Sequence, residues 1–330
     1  MKNNQKPYLI SRLITDAAEK RGVKVNPILP KLLLYELKRG DKSYTFFQSL
    51  FGPMESASFI AANRKDLSFQ ILKQWGIPIP ESKIVYNFDD CKQFLEKYKK
   101  IVVKPKNLKW GLGITAGVTD TKILKKAIDN VTQYVSSKGD FVVQEFVEGD
   151  DYRLLLIGYE KVFCLQRNPA YIVGDGKSTI DELIKKKKIK TGSLKKFLEI
   201  PTKKVELALK MHGFKRSDIP ARGKKIRLST TANVHFGGFT VDKTDEVCEE
   251  AKKIAIKIAK RFASPVLGID FISEDISKTP GGVIEINPTP DVLMHTQPTF
   301  GKSYNPAEAL IDFLFFSGEE EELKLRPELN

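Results

Sequence analysis

The sequence predicts an α+β protein with antiparallel sheets, and three observations favour this class. Runs rich in Val, Ile and Phe alternate with polar residues and end at Gly or Pro, as strands do. Several runs follow one another across short, turn-like connections, which is the pattern of antiparallel hairpins. Longer segments between them carry apolar residues at helical spacing. The 330 residues, 41% hydrophobic and 29% charged, suffice for two or three subdomains with substantial cores.

Residues 1–62 are predicted to form a small N-terminal α/β unit. Apolar residues from Ile10 to Ala18 have helical spacing, and Gly22 is a suitable stop for that helix. Short strands are predicted over 23–25, 32–37 and 44–50. The functional motifs begin after this unit.

Residues 63–143 are predicted to form a second segment. Its helices span 63–75, 88–98 and 121–136, and its strands span 101–105 and a return run ending at Val118. The loop 106–113 between the strands carries Lys and Gly, whose charges and N–H groups suit phosphate. A plain hairpin connection is the alternative, because neither a Walker A loop nor a Rossmann fingerprint is present.

Residues 144–318 are predicted to form a third segment, followed by an acidic tail at 319–330. Two strands flank an acidic turn near Gly149, and helices span 180–188, 245–262 and 305–316. Backbone groups near Glu145 and Val147 are candidates for pairing with a purine edge. A nearby carboxylate is a candidate for binding ribose hydroxyls.

The last predicted hairpin carries the strongest chemical signal. Strands over 266–272 and 281–288 are joined by turn-like residues, and side chains two apart on a strand share a face. Glu285 and Asn287 therefore point the same way, with Ile284 and Ile286 toward a core. Asp270 joins the polar pair if the register allows. Two carboxylates and an amide oxygen suit Mg²⁺, and a solvated strand face is the alternative interpretation.

The net charge of +14 is concentrated in one segment. Between Lys185 and Arg227 there are 16 Lys and Arg residues against 3 Asp and Glu residues. Such a segment is expected to attract an acidic small substrate or peptide, a phosphorylated substrate or nucleic acid. The alternative interpretation is a solvated, Lys-rich surface. Because no nucleic-acid-binding motif accompanies it, we do not expect nucleic acid as the partner.

Targeting and cysteine signals favour the cytoplasm. The first seven residues are polar and lack a signal-peptide pattern, and the most apolar run, 309–316, is too short to span a bilayer. Cys91, Cys164 and Cys248 are scattered, with no metal or disulfide spacing. We therefore expect a cytoplasmic protein with no membrane partner.

The order of the motifs resembles that of the ATP-grasp superfamily. The matching pieces are Val103-Lys104-Pro105 with its Gly loop, Gln144-Glu145-Phe146-Val147-x-Gly149, Gly268-Ile269-Asp270-Phe271 and Glu285-Ile286-Asn287-x-x-Pro290. The chain is similar to the ATP-grasp part of cyanophycin synthetases, and in some pieces to that of bifunctional glutathione synthetases. The pieces that carry this similarity are Asp151-Tyr152-Arg153, Gly174-Asp175-Gly176, Pro220-Ala221-Arg222-Gly223, Thr231-Ala232-Asn233 with Gly237-Gly238, and Met294-His295-x-x-Pro298. The resemblance covers residues 60–316, and its specificity lies in the order and spacing of the pieces.

The resemblance implies an ATP-grasp fold, in which two α+β subdomains with antiparallel sheets clamp ATP. In that fold, residues 63–143 are the N-lobe or lid and residues 144–318 are the C-lobe with the metal site. The residues implied to bind ATP are Lys65, Lys104, Lys106, Gly111, Gly113, Gln144, Glu145, Phe146, Val147, Asp151 and Asn233. The residues implied to hold Mg²⁺ or Mn²⁺ are Asp270, Glu285 and Asn287.

The resemblance also implies the reaction, because such enzymes join a carboxylate to an amine through an acylphosphate. An amino acid or a short peptide is the expected substrate. Phosphoryl transfer requires positioning and charge neutralisation rather than a protein nucleophile, and no nucleophile elbow or Cys–His signature is evident. Candidates for binding the γ-phosphate, the carboxylate or the tetrahedral intermediate are Arg153, Arg167, Lys177, Arg222 and Arg227. Each of them is alternatively a surface charge.

Several positions depart from the relatives' pattern. Leu108 and Leu112 replace Gly and Arg of the phosphate loop, Asp291 and Leu293 replace Gly and Arg after the metal strand, and Ser229 and Thr230 replace basic residues. Since no Mur-ligase-like half follows, cyanophycin is not the expected product and the acceptor pocket is expected to differ. His295 is interpreted as a positioning or substrate contact, or alternatively as a structural histidine.

Two other functions stay open at the level of sequence. A kinase of the same fold would use the basic segment to hold a small anionic substrate. A non-catalytic nucleotide- or polyanion-binding module would be expected to lack a metal ligand, and none is missing from the motif. A homo-oligomer is a further expectation from the relatives.

Overall fold

The computed structural model describes residues 5–48, 54–106, 108, 112–136, 140–186, 202–230, 232 and 237–317. Its helices are α1 (Gln5–Lys20), α2 (Ser56–Asn63), α3 (Lys65–Gln74), α4 (Phe88–Tyr98), α5 (Thr121–Thr132), α6 (Ile180–Lys186), α7 (Thr202–Met211), α8 (Glu249–Arg261) and α9 (Pro306–Phe316). Its strands are β1 (Lys24–Leu29), β2 (Leu34–Arg39), β3 (Lys42–Phe47), β4 (Ser82–Val85), β5 (Ile101–Pro105), β6 (Thr115–Val118), β7 (Phe141–Glu145), β8 (Asp150–Ile157), β9 (Lys161–Asn168), β10 (Tyr171–Val173), β11 (Lys225–Arg227), β12 (Phe239–Asp242), β13 (Val266–Ser273) and β14 (Gly282–Asn287). These helices and antiparallel sheets confirm the predicted α+β class.

The described chain divides into two compact units. Unit 1 consists of Met1–Pro78, Tyr152–Leu165 and Asp242–Asn330, and unit 2 consists of Ile79–Asp151 and Gln166–Val241. The chain passes from one unit to the other after Pro78, near the start of β8, within β9 and at the end of β12. The predicted boundaries after residues 62 and 143 are linear divisions of the chain and stay predictions.

Unit 1 begins with α1 and an antiparallel sheet in the order β1-β2-β3. One face of α1 is buried in a core with inner residues of this sheet and of α9; its members include Ile10, Ile14, Ala17, Leu37, Phe46, Leu310, Ile311 and Leu314. Surface ion pairs Lys20–Glu308 (2.7 Å) and Arg21–Asp312 (2.6 Å) also join α1 to α9. Helices α1 and α9, the first and last described helices, therefore pack in one common core.

A five-stranded sheet in the order β12-β9-β8-β13-β14 carries the candidate metal hairpin. Strand β13 lies between β8 and β14, and its side chains are almost all buried. An inner position explains why its sequence is a nearly continuous apolar run, because both faces are covered. A charged residue within such a strand needs a partner, since burial of an unpaired charge is costly.

Unit 2 contains a four-stranded sheet in the order β4-β7-β5-β6, covered by α4 and α5. Both helices are capped by polar side chains: Asn87 accepts from the Asp90 N–H (2.8 Å), and Asp120 accepts from the N–H groups of Lys122 and Ile123 (2.8 Å each). The bounds of α4 and β5 agree with those predicted from the sequence. This sheet carries Lys104, Gln144 and Glu145, three of the residues predicted to bind ATP.

A second, smaller core in unit 2 includes part of the basic segment. It combines β10, β11, α6 and α7 through Ala170, Ile172, Ile180, Val205, Leu209, Ile226 and Leu228. The loop before α6 is held by Asp175, which accepts hydrogen bonds from the N–H groups of Ser178 (2.7 Å) and Lys177 (2.9 Å). These bonds lower the Asp175 pKa to about 2. The described parts of the basic segment, 185–186 and 202–227, contribute α7 and β11 to this core, and 187–201 lies outside the described residues.

Across the described part of the chain, no helix has both the length and the apolar character that a membrane span requires.

Candidate active site

The hairpin β13–β14 has the register that the metal prediction requires. Asp270 lies opposite Glu285, and Gly268 lies opposite Asn287, in an antiparallel pairing. Residues two apart on a strand share a face, so Asp270, Glu285 and Asn287 belong to one face of the hairpin. The predicted antiparallel hairpin and its cross-strand carboxylate pair are confirmed.

The alternation on β14 is interrupted by a β-bulge. The register shifts between the pairs Asp270–Glu285 and Phe271–Val283, which leaves Ile284 as the extra residue. Val283 and Ile286 are buried, whereas Ile284 is only partly buried. The prediction that Ile284 points into the core was therefore wrong, and the bulge is the physical reason.

Asp270 is paired with Arg153 of the neighbouring strand β8. The Arg153 Nε and Nη2 atoms donate to the two carboxylate oxygens, the second at 3.0 Å. The side chains are 9% and 4% exposed, so this is a buried bidentate ion pair. Such pairing is the geometry that makes a guanidinium–carboxylate bond both strong and directional.

Gly268 provides the space in which Arg153 lies. A Cβ atom at this position would stand 3.3 Å from Arg153 Nη1 and 2.9 Å from the Pro290 Cβ. A glycine inside a strand often marks such a close approach. Although Gly268 is part of the recognised motif, sequence reasoning missed this role, and the glycine within an apolar strand was the available signal.

Glu285 is paired with Lys65, the first residue of α3. Their Nζ and Oε1 atoms are 3.3 Å apart, with the Lys65 side chain 8% exposed and that of Glu285 28% exposed. The N–H of Val283 donates to the Pro78 carbonyl (2.8 Å), which ties β14 to the segment after α3. The Lys65 partner is remote in sequence, and no local pattern indicates it.

The oxygen donors on this face fit a hard divalent cation that is completed by substrate. Asn287 Oδ1 accepts from the Thr289 N–H (3.1 Å), which orients the amide oxygen. Among the described residues no group of three or more His, Cys, Asp or Glu side chains is placed to hold a metal ion. The hairpin itself supplies two carboxylates, those of Asp270 and Glu285. Mg²⁺ is usually held in this way, by one or two carboxylates together with phosphate oxygens and water.

In unit 2, Lys104 on β5 and Gln144 on β7 form a second polar pair. Lys104 Nζ donates to Gln144 Oε1 (2.8 Å), and both residues are buried. Since the ammonium group can only donate, the Gln144 amide is oriented with its nitrogen facing away. That buried Nε2 atom has no described hydrogen-bond partner. A buried orphan donor of this kind fits a site that a ligand completes.

The residues after Gln144 are held by backbone bonds within unit 2. The Glu145 N–H donates to the Glu81 carbonyl (2.8 Å), and Glu145 Oε2 accepts from the Glu81 N–H (3.3 Å). The Phe146 N–H donates to the Lys100 carbonyl (3.1 Å). Val147 follows, and no described residue accepts a backbone bond from its N–H. Pairing of this N–H with a purine edge stays a prediction.

Asp151 and Arg167 lie side by side on neighbouring strands. Arg167 Nε donates to Asp151 Oδ1 at 2.8 Å, and the adjacent pair Gln166–Asp150 is bonded at 2.7 Å. Arg167 therefore orients the carboxylate predicted to bind the ribose. The predicted separate roles of Asp151 and Arg167 stay predictions.

The glycine loop is only partly described. Lys106 donates its N–H to the Asp140 carbonyl (2.8 Å). Gly113 has a φ of +68°, and a Cβ there would lie 2.9 Å from Pro105 Cγ, so the turn requires a glycine. Gly111 and Asn233, both predicted to bind ATP, lie outside the described residues.

Arg222 and Arg227 are exposed; Arg227 lies on β11, and Arg222 precedes that strand. Lys177 is also exposed, on the loop before α6. Near them, burial and the charges of Arg227 and Lys100 lower the pKa of His212. These arginines therefore contribute to a cationic surface of unit 2, whereas Arg153 belongs to the buried pair of unit 1.

Three positions after the metal strand have structural contacts. Asp291 accepts from the Leu293 N–H (3.2 Å) and caps a short 3₁₀ turn, while Leu293 packs against the core of unit 1. His295 is buried, 1% exposed, with its ring edge-on to Phe163. These contacts favour the structural interpretation of His295.

The fold, the β13–β14 hairpin and the Lys104–Gln144 pair can be compared with those of known protein families. The ATP-grasp domain model matches residues 62–291, and the chain belongs to this family. It is 32% identical over 319 residues to the glutathione biosynthesis bifunctional protein GshAB of Clostridium perfringens, covering 92% of this chain and 40% of that protein. It is 30% identical over 259 residues to the cyanophycin synthetase of Synechocystis sp., covering 75% and 30%.

A solved structure is also similar. The bifunctional glutathione synthetase from Pasteurella multocida matches with a TM-score of 0.63 and 26% identity, covering 93% of this chain and 43% of that one. The predicted ATP-grasp fold and the resemblance to both groups of proteins are confirmed. The chain spans less than half the length of each of these three proteins.

Proposed function

We propose that this chain is an ATP- and Mg²⁺-dependent carboxylate–amine ligase that forms an amide or peptide bond through an acylphosphate. The observation that carries the proposal is the register of the β13–β14 hairpin, which sets Asp270 opposite Glu285 with Asn287 on the same face. The relatives named above, a glutathione-biosynthesis protein and a cyanophycin synthetase, support the same reaction class.

The proposed reaction has two steps. A substrate carboxylate oxygen attacks the γ-phosphorus of ATP, the bond to the β–γ bridging oxygen breaks, and ADP leaves. The amine of the second substrate then attacks the acyl carbon, inorganic phosphate leaves, and the amine nitrogen loses a proton. Positioning and neutralisation of charge account for most of such catalysis.

The chain's own residues would divide this work by unit. In unit 2, Lys104 and Gln144 would bind the nucleotide with the Glu145–Val147 backbone, and Asp151 would bind the ribose. In unit 1, Asp270, Glu285 and Asn287 would hold Mg²⁺ or Mn²⁺, which neutralises phosphate charge when bound. Arg153 would fix the Asp270 carboxylate, and its buried bidentate pair supports a positioning role.

The substrates are proposed from charge. The exposed cations around β10, β11 and α7 support an amino acid or a short acidic peptide as the ligand, since they form a folded, basic surface. The free, scattered cysteines support a cytoplasmic location, and a homo-oligomer remains part of the proposal by analogy with relatives. A kinase with a small anionic substrate is the second candidate, supported by the same surface.

Product analysis distinguishes the candidates. ADP formation is measured with Mg²⁺ and ATP across single amino acids, their pairs and short acidic peptides, with mass spectrometry on every hit. A ligase gives free phosphate and a product lighter than its two substrates by one water. A phosphorylated product supports the kinase, and ATP binding without turnover across the panel supports a binding module.

Glu285→Gln tests the metal assignment. We expect this change to abolish turnover and leave the fold intact, because it removes a ligand charge and keeps the side-chain volume. The matched control is Glu274→Gln, an exposed carboxylate in the connection of the same hairpin. Full activity of Glu285→Gln, measured beside the control by ADP release and circular dichroism, contradicts the assignment.

A further inference from the structure

The two carboxylates of the proposed metal site each have a cationic partner, and the two pairs differ. Arg153 binds both oxygens of Asp270, with exposures of 9% and 4%. Lys65 approaches one oxygen of Glu285 at 3.3 Å, and the Glu285 side chain is 28% exposed. The first pair is closed to solvent, and the second is open on the carboxylate side.

The chemistry of the two cations fits this difference. A guanidinium group holds a carboxylate in a fixed fork, whereas an ammonium group is a point charge on a flexible four-carbon stem. Arg153 is further confined by Gly268, whose Cβ position is 3.3 Å from Nη1. Lys65 is the first residue of α3, and its ammonium group lies at the end of such a flexible stem.

Within these two ion pairs the formal charges cancel without metal. Asp270 and Glu285 contribute two negative charges, and Arg153 and Lys65 contribute two positive ones. A divalent cation that approaches Glu285 Oε1 competes for an atom that Lys65 already contacts. It also experiences repulsion from the ammonium group at short range, which is weakly screened when the group is buried.

We infer that Lys65 is a positioning residue that occupies Glu285 in the metal-free protein and is displaced from it by the divalent cation. The inference rests on the proposed function, since it takes Glu285 as a metal ligand. Metal binding is then an exchange of one cation for another on the same carboxylate oxygen. Asp270 keeps its partner throughout, and Glu285 is the ligand that changes partner.

The test measures Mn²⁺ affinity of the full chain without nucleotide, by the loss of the free-ion signal in electron paramagnetic resonance. Lys65→Met removes the competing ammonium group, so its Mn²⁺ dissociation constant is expected to fall on the order of tenfold or more relative to wild type. Lys65→Arg keeps a cation at Glu285 and is expected to bind Mn²⁺ as weakly as wild type. A purely structural role for Lys65 predicts weaker or equal binding in both variants.

The matched control is Lys278→Met, which removes a lysine from an exposed pair with Asp275 in the same hairpin connection (2.8 Å). Its Mn²⁺ affinity is expected to be unchanged, which excludes a general effect of net charge. If Lys65→Met does not fold, as judged by thermal unfolding, Lys65→Gln is measured instead with the same expectation. Equal or weaker Mn²⁺ binding in the folded variant overturns the inference.

A double variant distinguishes this inference from the proposed function. Adding Glu285→Gln to Lys65→Met is expected to abolish the gain in affinity, and a gain that survives it overturns the inference. If Glu285→Gln alone abolishes turnover while Lys65→Met binds Mn²⁺ no tighter, the metal site stands and only the exchange fails. Full turnover of Glu285→Gln removes the basis of both.

Discussion

The metal hairpin of unit 1 and the basic region of unit 2 use charge in opposite ways. On the hairpin, Asp270 is buried in a bidentate pair with Arg153. Around β10 and β11, Arg222 and Arg227 are exposed at the edge of a small apolar core. The buried pair fixes the positions of the Asp270 and Arg153 side chains, whereas the exposed arginines place like charges over a surface.

Because of this difference, the buried ion pair acts mainly on stability, whereas the exposed cations act mainly on recognition of a ligand. A buried ion pair cannot lose one member without leaving a desolvated charge, so its residues are tied to the folding of the unit. An exposed cation contributes little to the free energy of unfolding but adds to the field that attracts an anion. The same residue type is therefore expected to respond very differently to mutation in the two regions.

The largest expected effect on stability is that of Arg153→Met. It removes the bidentate guanidinium that pairs with the buried Asp270 carboxylate, so we expect the free energy of unfolding to fall by about 3–5 kcal/mol. The matched Arg222→Met in the basic region is expected to change it by less than about 0.5 kcal/mol. Urea denaturation of both variants checks the comparison, and equal losses would remove the distinction between the two regions.

Gly268→Ala perturbs the same pair without removing a charge. The added Cβ stands 2.9 Å from Pro290 Cβ and 3.3 Å from Arg153 Nη1, and such overpacking costs about 1–3 kcal/mol. If contact with Arg153 contributes to this cost, the double variant with Arg153→Met destabilises by less than the sum of the single changes. Denaturant unfolding of the four proteins gives this cycle. If the losses of stability of the two single variants are additive, the contact with Pro290 accounts for the whole cost of Gly268→Ala.

Much of the fold was predictable where the signal is local. The bounds of α4 and β5 follow from a capped amphipathic helix and an apolar run stopped by Pro105. The β13–β14 hairpin followed from two β-branched runs around a short connection, and its alternation indicated the shared face of Glu285 and Asn287. The bulge at Ile284 was not predictable, because one unpaired residue leaves no compositional mark.

Contacts between distant parts of the chain were the part that sequence reasoning missed. The Lys65–Glu285 pair depends on how α3 is placed beside β14, and neither residue has a local signal for it. The core of β10, β11, α6 and α7 lies partly in the basic segment, where the many charged residues obscured the apolar ones. Val205, Ala208 and Leu209 nevertheless have helical spacing, which was sufficient to predict α7.

The smallest expected effect on stability belongs to the basic region and tests its role. Lys210, Lys224 and Lys225 are exposed, and changing all three to Gln is expected to leave the unfolding midpoint nearly unchanged. If this surface attracts an acidic substrate, the variant has a higher KM for that substrate and a weaker dependence of KM on salt, with kcat retained. The KM at low and high ionic strength measures both effects. Unchanged kinetics would make the region a solvated surface, and a loss of kcat instead would place these lysines at the reacting groups rather than along the approach of the substrate.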